Sequence, residues 1–179
     1  MVGVVGLMAT LLSAGHQTRA AGAAPPAATP ASQAAAPGRE APANPMTPVE
    51  RADATPQGKL KNPYSDSDAA VVQAGGQLYM QYACSGCHGG TGGGGMCPPL
   101  TNDVWVYGGD DDTLFRLVAY GSATLQSNGY SRKAEENVVG AMPPMEQIVK
   151  TDDDLWRILA FVRANYHGSP ECKFGCGGK

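Results

Sequence analysis

Apolar side chains recur at helical spacing in three places along this chain. The first run predicts a helix over 68–83, with Val71, Val72, Leu78, Tyr79 and Tyr82 as its apolar positions and Ser67 or Asp68 as its cap. The second predicts a helix over 111–120, carrying Leu114, Phe115, Leu117 and Val118. It begins with Asp110, Asp111 and Asp112, as the positive end of a helix dipole favours. The third predicts a helix over 152–166, with Leu155, Ile158, Leu159, Val162 and Tyr166 on one stripe. Thr151 and Asp154 stand at capping-box spacing, with Asp in place of Glu. No segment alternates with the period of two that marks a strand, and no internal repeat is visible, so the expected fold class is all-α. Gly75 and Gly76 lie inside the first helix, where each costs about 1 kcal/mol relative to alanine. A close helix–helix crossing would account for both.

The flanks read differently. Val2 to Leu12 is a mostly apolar run, shorter than the ~20 residues that span a bilayer. Small residues follow at Ala20 to Ala23. The pattern predicts a signal peptide over 1–23, although no basic residue precedes the run, and therefore export with no membrane span after cleavage. Residues 24–61 hold most of the chain's prolines and few large apolar side chains. They are expected to be a disordered linker. The folded domain is expected over 62–170, with a cysteine-containing tail over 171–179. The 179 residues carry 13 basic and 16 acidic side chains, a formal net charge of −3. Nucleic-acid binding by a basic surface is thereby excluded.

The chemistry concentrates at Cys84-Ser85-Gly86-Cys87-His88, the C-x-x-C-H pattern of covalent haem attachment. Two thiols at this spacing add across the vinyl groups of neighbouring pyrroles, and the next residue brings an imidazole under the iron. A thioredoxin-like redox pair would need alternating strands and helices around it. A structural zinc site would need a second ligand pair, and Cys172 with Cys176 at the chain's end makes a poor one. The expected cofactor is therefore one haem c, with Cys84 and Cys87 as covalent links and His88 as an iron ligand.

Histidine–methionine ligation marks electron-transfer cytochromes. Met142, in the proline-stiffened stretch Gly140-Ala141-Met142-Pro143-Pro144, is the expected second ligand. Its rivals are Met145, Met96, Met80 and His167. A ligating histidine ordinarily donates its other ring N–H to an oxygen, and the Pro98 carbonyl is the expected acceptor. Trp105, Tyr107 and Tyr130 are candidates for the haem pocket, and Arg116 and Arg132 for the propionates. Packing and solvation remain open readings for all five. Three cysteines are left over: Cys97, Cys172 and Cys176. A long-range bridge from Cys97 to the tail is expected, with a local Cys172–Cys176 loop as the alternative.

These residues resemble the class I cytochromes c: the attachment motif, the Pro98-Pro99-Leu100 loop, the Met142-Pro143 loop and a capped final helix come in that family's order. A narrower resemblance is to the monohaem cytochromes of methanol metabolism, the cytochrome c-L type. It is carried by LYMQYACSGCHGG, PPLTNDVWVYGGDDDTLFRLVAYGS and VVGAMPPMEQIVKTDDDLWRILAFVRANYHG. Cys97 and the C-terminal cysteine pair depart from it. The resemblance implies that the first and last helices cross near the haem, with Gly75 and Tyr79 against the stripe of Leu159 and Val162. It further implies a periplasmic single-electron carrier rather than an enzyme. Its donor would be a PQQ-dependent methanol or alcohol dehydrogenase, and its acceptor a downstream cytochrome or oxidase. The alternatives are a peroxidase-like haem enzyme with an open iron face and a cytochrome subunit of a larger oxidoreductase complex. The acidic runs at 110–112 and 152–154 read either as helix caps or as a surface that steers a basic partner.

Overall fold

The structure, a computed structural model, describes residues 45–103, 105–134 and 140–175, together with Gly3. The chain divides into two units, 1–33 and 34–179. The first contributes only Gly3 to the described residues, and every described helix belongs to the second. The expected signal peptide over 1–23, apart from Gly3, and residues 24–44 of the expected linker lie outside the described residues.

The described residues form five α-helices and no strand: α1 (Pro48–Ala54), α2 (Ala69–Gln81), α3 (Cys84–His88), α4 (Asp111–Ser127) and α5 (Asp152–Ala164), with a 3₁₀ turn after them at Pro170–Cys172. The all-α expectation holds. No helix among the described residues is long and apolar enough to cross a membrane.

α1 corrects the reading of 24–61 as a disordered linker throughout. Thr47 and Glu50 close a reciprocal capping box, with Thr47 N donating to Glu50 Oε2 (2.8 Å) and Glu50 N to Thr47 Oγ1 (3.2 Å). Pro48, Ala52 and Leu60 are buried. Arg116 on α4 donates to the carbonyls of Ala52 (2.9 Å) and Thr55 (2.6 Å), and Arg51 pairs with Asp152 at the start of α5 (2.6 Å). The composition misleads because this segment is held by small apolar side chains and polar clamps supplied from elsewhere. A count of large apolar residues does not register either.

The three predicted helices are present with shifted ends. Asp68 caps α2 by accepting from Ala70 N (3.0 Å) and Val71 N (3.3 Å). The helix stops at Gln81 because the chain reverses at Ala83. α4 continues past the predicted end at 120, with a kink at Gly121 (φ 75°, ψ 165°). Thr151 caps α5 by accepting from Asp154 N (3.1 Å), but the box is not closed. The Asp154 carboxylate accepts from Tyr82 O–H instead (2.6 Å), tying the end of α2 to the start of α5.

α2 and α5 cross where glycine removes the side chain. A β-carbon on Gly75 would overlap the Arg157 carbonyl, standing 2.7 Å from its carbon and 3.0 Å from Phe161 Cβ. The Tyr79 and Phe161 rings then pack with their centroids 5.2 Å apart, tilted by 47°. The partners on α5 are thus Arg157 and Phe161, one step around the helix from the expected Leu159 and Val162, which face a cavity.

The acidic runs are engaged in caps and ion pairs. Asp112, Asp152 and Asp153 are buried. Each is paired: Asp112 with Arg116 (3.0 Å), Asp152 with Arg51 and Asp153 with Arg157 (2.9 Å). Asp111 pairs with Arg163, and Asp110 caps α4 by accepting from Thr113 N (2.9 Å).

The cysteines also overturn an expectation. Cys172 is disulfide-bonded, whereas Cys84, Cys87 and Cys97 form no disulfide. A bridge from Cys97 to the tail is therefore absent. The alternative expectation, a local Cys172–Cys176 loop, involves Cys176, which lies outside the described residues. The tail is held otherwise, by Lys173 on Asp66 (2.5 Å) and by Arg163 over the Phe174 ring (4.6 Å).

Candidate functional site

Cys84, Cys87 and His88 occupy positions i, i+3 and i+4 of α3, which sets them on one helical face. The chain reaches that face by turning sharply at Ala83, whose backbone is left-handed (φ 58°, ψ 21°). Such a conformation costs a residue with a β-carbon roughly 1–2 kcal/mol. It is the one non-glycine residue with positive φ among those described. Strain of this kind persists only where the surroundings hold it, and it stands immediately before the attachment motif.

After α3 the glycine-rich loop folds back beneath the motif. Gly94 N donates to His88 O (2.8 Å), Cys97 N to Cys87 O (3.0 Å) and Leu100 N to Gly92 O (2.6 Å). Tyr79 O–H, from the crossing helix, donates to Gly89 O (2.8 Å). A β-carbon at Gly95 would come within 2.9 Å of Cys87 O, so the loop approaches this closely only because it is glycine. The loop delivers Pro98 O to 2.9 Å from His88 Nδ1. A carbonyl only accepts, so the proton sits on Nδ1 and the Nε2 lone pair is left for a metal.

Cys84, Cys87 and His88 all line one cavity of about 430 Å³. That is within the range of roughly 300–1,000 Å³ typical of cofactor sites. α4 contributes Leu114, Leu117 and Val118, and α5 contributes Ile158, Leu159 and Val162. Met142 and Met145 line it from the segment between those helices. Met142 is pinned to the kink of α4, its N–H donating to Ser122 Oγ (3.0 Å) while its carbonyl accepts from Ser122 N (2.9 Å). Met145 N donates to Val118 O (3.0 Å). The other rivals do not reach the cavity. Met80 and Met96 are 54% and 63% exposed, and His167 lies in solvent beyond the end of α5.

Trp105, Tyr107 and Arg132 line the cavity. Tyr130 and Arg116 do not: both are spent on Asp112, and Arg116 also on the α1 carbonyls. Ser122 and Gln126 also line the cavity, and the sequence reading misses both. Their i, i+4 spacing continues the face of Val118 and is the available signal, hidden by the expectation that the helix stops at 120.

The lining favours neutral groups. Burial pushes the Cys84 thiol up, and burial, then the nearby Cys84 and Cys87 thiols, pushes Tyr79 up to about 12. Burial, then the neighbouring Cys87 thiol, pushes Cys97 up. Two thiols and an imidazole on one element, a thioether on another and apolar walls between them fit a haem. The thiols suit covalent links, and the soft sulfur with the imidazole suits iron.

The family model described as Cytochrome C oxidase, cbb3-type, subunit III matches residues 70–162, just over half of the chain. The chain is 33% identical over 76 residues to the cbb3-type cytochrome c oxidase subunit CcoP of Cereibacter sphaeroides, covering 41% of this chain and 26% of that protein. It is 40% identical over 60 residues to the cbb3-type cytochrome c oxidase subunit FixPc of Rhizobium leguminosarum bv. viciae, covering 31% of this chain and 21% of that one. It thus spans about a quarter of the length of these curated relatives. Cytochrome CL from the marine methylotrophic bacterium Methylophaga aminisulfidivorans is 30% identical, with a TM-score of 0.45, covering 60% of this chain and 61% of that one. The family match takes in α3 and α4 whole and all but the ends of α2 and α5, and the chain belongs to the cbb3-type cytochrome c oxidase subunit III family, an electron-transfer protein of the class I cytochrome c kind.

Proposed function

We propose that this chain is a periplasmic one-electron carrier holding a single c-type haem. Cys84 and Cys87 hold the haem covalently, His88 and Met142 ligate its iron, and the Pro98 carbonyl fixes the His88 ring. When bound, the haem supplies a one-electron couple. The chain's own residues keep it in an apolar cavity, exclude water from it and hold its two axial donors on separate, hydrogen-bonded elements. The observation that carries the reading is the convergence of Cys84, Cys87, His88 and Met142 on one cavity. The sequence contains a single attachment motif, which supports one haem. Between the two methionines, Met142 is favoured because its backbone is pinned on both sides by Ser122. A tight hydrogen-bonded pair holds a thioether in place without relying on helix register.

The test is to express the full chain with a haem-ligation system. Intact mass should rise by one haem, and the oxidised protein should show a methionine–iron charge-transfer band that Met142→Ala removes. A colourless product rejects the reading.

The proposed donor is a PQQ-dependent methanol or alcohol dehydrogenase, supported by the resemblance of the three quoted segments to methanol-linked cytochromes. The proposed acceptor is a downstream cytochrome or an oxidase. Stopped-flow reduction by a purified methanol dehydrogenase checks the donor. A rate no faster than that of an unrelated cytochrome rejects it. A second reading, a haem-bearing part of an oxidase complex, is favoured by family membership. Co-purification of the chain with oxidase subunits from membranes separates that reading from a free carrier.

A further inference from the structure

Cys97 is a third cysteine at the attachment site, and covalent haem attachment leaves it without a task. It follows the glycine-rich loop and lines the same cavity as Cys84, Cys87 and His88. Gly94 N on His88 O (2.8 Å) and Leu100 N on Gly92 O (2.6 Å) fasten the chain on either side of it. Cys97 N donates to Cys87 O (3.0 Å), and the two thiols are in hydrogen-bond contact. Both residues are half-buried rather than sealed in the core. The three thiols do not form a metal cluster. Among the described residues no three His, Cys, Asp or Glu side chains come together as one would need.

These contacts meet the demands of a disulfide. Such a bond needs Cα atoms roughly 4.4–6.8 Å apart, Cβ atoms roughly 3.5–4.5 Å apart and Cβ vectors directed at each other. The backbone hydrogen bond draws the two main chains together, and the thiol contact sets the direction of the side chains. Cys84 is less well placed toward Cys87. The two stand at i and i+3 of α3, where Cβ atoms lie about 5–6 Å apart, so bridging them has to tighten the helix. Six of the nine residues between Cys87 and Cys97 are glycine, so that loop closes without side-chain clashes.

We propose that, in the chain before haem attachment, Cys87 and Cys97 form a disulfide that holds Cys87 back from the cofactor. The pairing stands on the geometry of the two cysteines. Its consequence rests on the haem reading and deepens it, by adding a redox step ahead of attachment. The oxidant is a second disulfide, of the kind an oxidising compartment supplies. One cysteine thiolate attacks a sulfur of that disulfide, forming a mixed disulfide and releasing one thiol. The other cysteine then displaces the second thiol. Two electrons pass to the oxidant, and the two cysteine protons end on its two thiols. Haem attachment needs the opposite state, because the S–H adds across a vinyl C=C, sulfur to one carbon and hydrogen to the other. A sulfur in a disulfide carries no hydrogen to add, so the oxidised chain offers only Cys84. A dithiol reductant reopens the bond, and in the holoprotein Cys97 is left unbridged.

The experiment takes the full-length chain expressed without haem and equilibrates it with oxidised and reduced glutathione in the absence of denaturant. Remaining thiols are alkylated, and the chain is cleaved after methionine with cyanogen bromide. Met80 and Met96 place Cys84 and Cys87 on one fragment, 81–96, and Cys97 on the next, 97–142. The two fragments should stay linked until reduced, with the alkyl group on Cys84. Cys97→Ser should abolish the link, and Cys84→Ser should keep it. Offered ferrous haem, the oxidised chain should attach it by one thioether and the reduced chain by two. The pyridine haemochrome band separates these, lying further to the red when one vinyl group remains. Separate fragments with the label on Cys97, or with all three cysteines labelled, overturn the proposal. So does attachment by two thioethers to the oxidised chain. Those outcomes leave the haem reading standing. A reduced chain that takes up no haem removes the haem reading, and the fragment pattern then decides the disulfide by itself.

Discussion

Gly75 on α2 stands directly against the backbone carbonyl of Arg157 on α5, with no room between them for a β-carbon. The obstacle is main chain, which cannot rotate away, so Gly75→Ala must push the two helices apart. Overpacking of this kind costs about 3 kcal/mol. Gly76 makes a natural comparison. Its β-carbon would meet the Phe161 ring at 3.1 Å, and a ring can shift. Alanine also gains about 1 kcal/mol of helix propensity over glycine, so Gly76→Ala should be within ~1 kcal/mol of wild type. Denaturant midpoints of the two holoproteins check this. Equal midpoints would mean that the crossing does not depend on Gly75.

The kink at Gly121 positions Met142. Its φ of 75° is a backbone conformation that side chains with a β-carbon rarely adopt. A β-carbon there would stand 2.6 Å from Pro144 N, 2.7 Å from Met142 O and 2.8 Å from Pro143 C. Gly121→Ala therefore displaces the methionine loop without touching the sulfur. If Met142 ligates iron, this variant should weaken the methionine–iron band, lower the reduction potential and admit carbon monoxide, as Met142→Ala does. Met145→Ala should keep the band. A Gly121→Ala protein with a wild-type spectrum would show that the loop is not held by this contact.

Much of this architecture is readable in the sequence, because periodicity reports buried stripes and motif spacing reports covalent chemistry. The stripe of Leu155, Ile158, Leu159 and Val162 is buried, and Gly75 does mark a crossing. The illegible parts depend on partners distant in sequence. α1 is held by Arg116, more than sixty residues away, and its local signals, Pro48 and the Thr47–Glu50 capping box, are lost in the Ala/Pro-rich composition around them. Asp110 to Asp112 and Asp152 to Asp154 look like surface charge, yet arginines from other turns draw most of them inward. α4 runs past its expected end because Gly121 bends the helix rather than terminating it. The left-handed Ala83 carries no sequence signal, since the residues that mark such a position are glycine, asparagine and aspartate.

The cysteines separate cleanly in an alkylation experiment. With haem on Cys84 and Cys87 and a bridge at Cys172, Cys97 is the remaining free thiol. Denatured, non-reduced holoprotein should take up one alkyl group, on the peptide containing Cys97. A local Cys172–Cys176 loop constrains few residues, so its reduction should cost no more than ~2 kcal/mol. Uptake of no label would instead mean that Cys97 is bridged.

Acid stability should depend on Asp112. Burial by itself would raise this carboxylate. The Tyr130 hydroxyl, the Gly58 and Leu60 N–H groups and the Arg116 guanidinium outweigh burial and hold it below its ordinary value of 3.8. A carboxylate depressed in the folded state contributes its stability in full above its unfolded value, and loses it as pH falls through the lower folded one. Stability should therefore decline below about pH 3.8. Asp112→Asn removes that acid-dependent component and leaves Arg116 buried without its counter-charge, a loss of about 3–5 kcal/mol at neutral pH. The change should also loosen α1, because the same guanidinium holds the Ala52 and Thr55 carbonyls. Asp112→Asn/Arg116→Met should recover part of the neutral-pH loss by removing the orphaned charge, while α1 stays released. Thermal melts between pH 2 and 7 measure the first effect, and hydrogen exchange of the α1 amides measures the second. A double variant no more stable than Asp112→Asn would mean that the buried guanidinium is not the source of the loss.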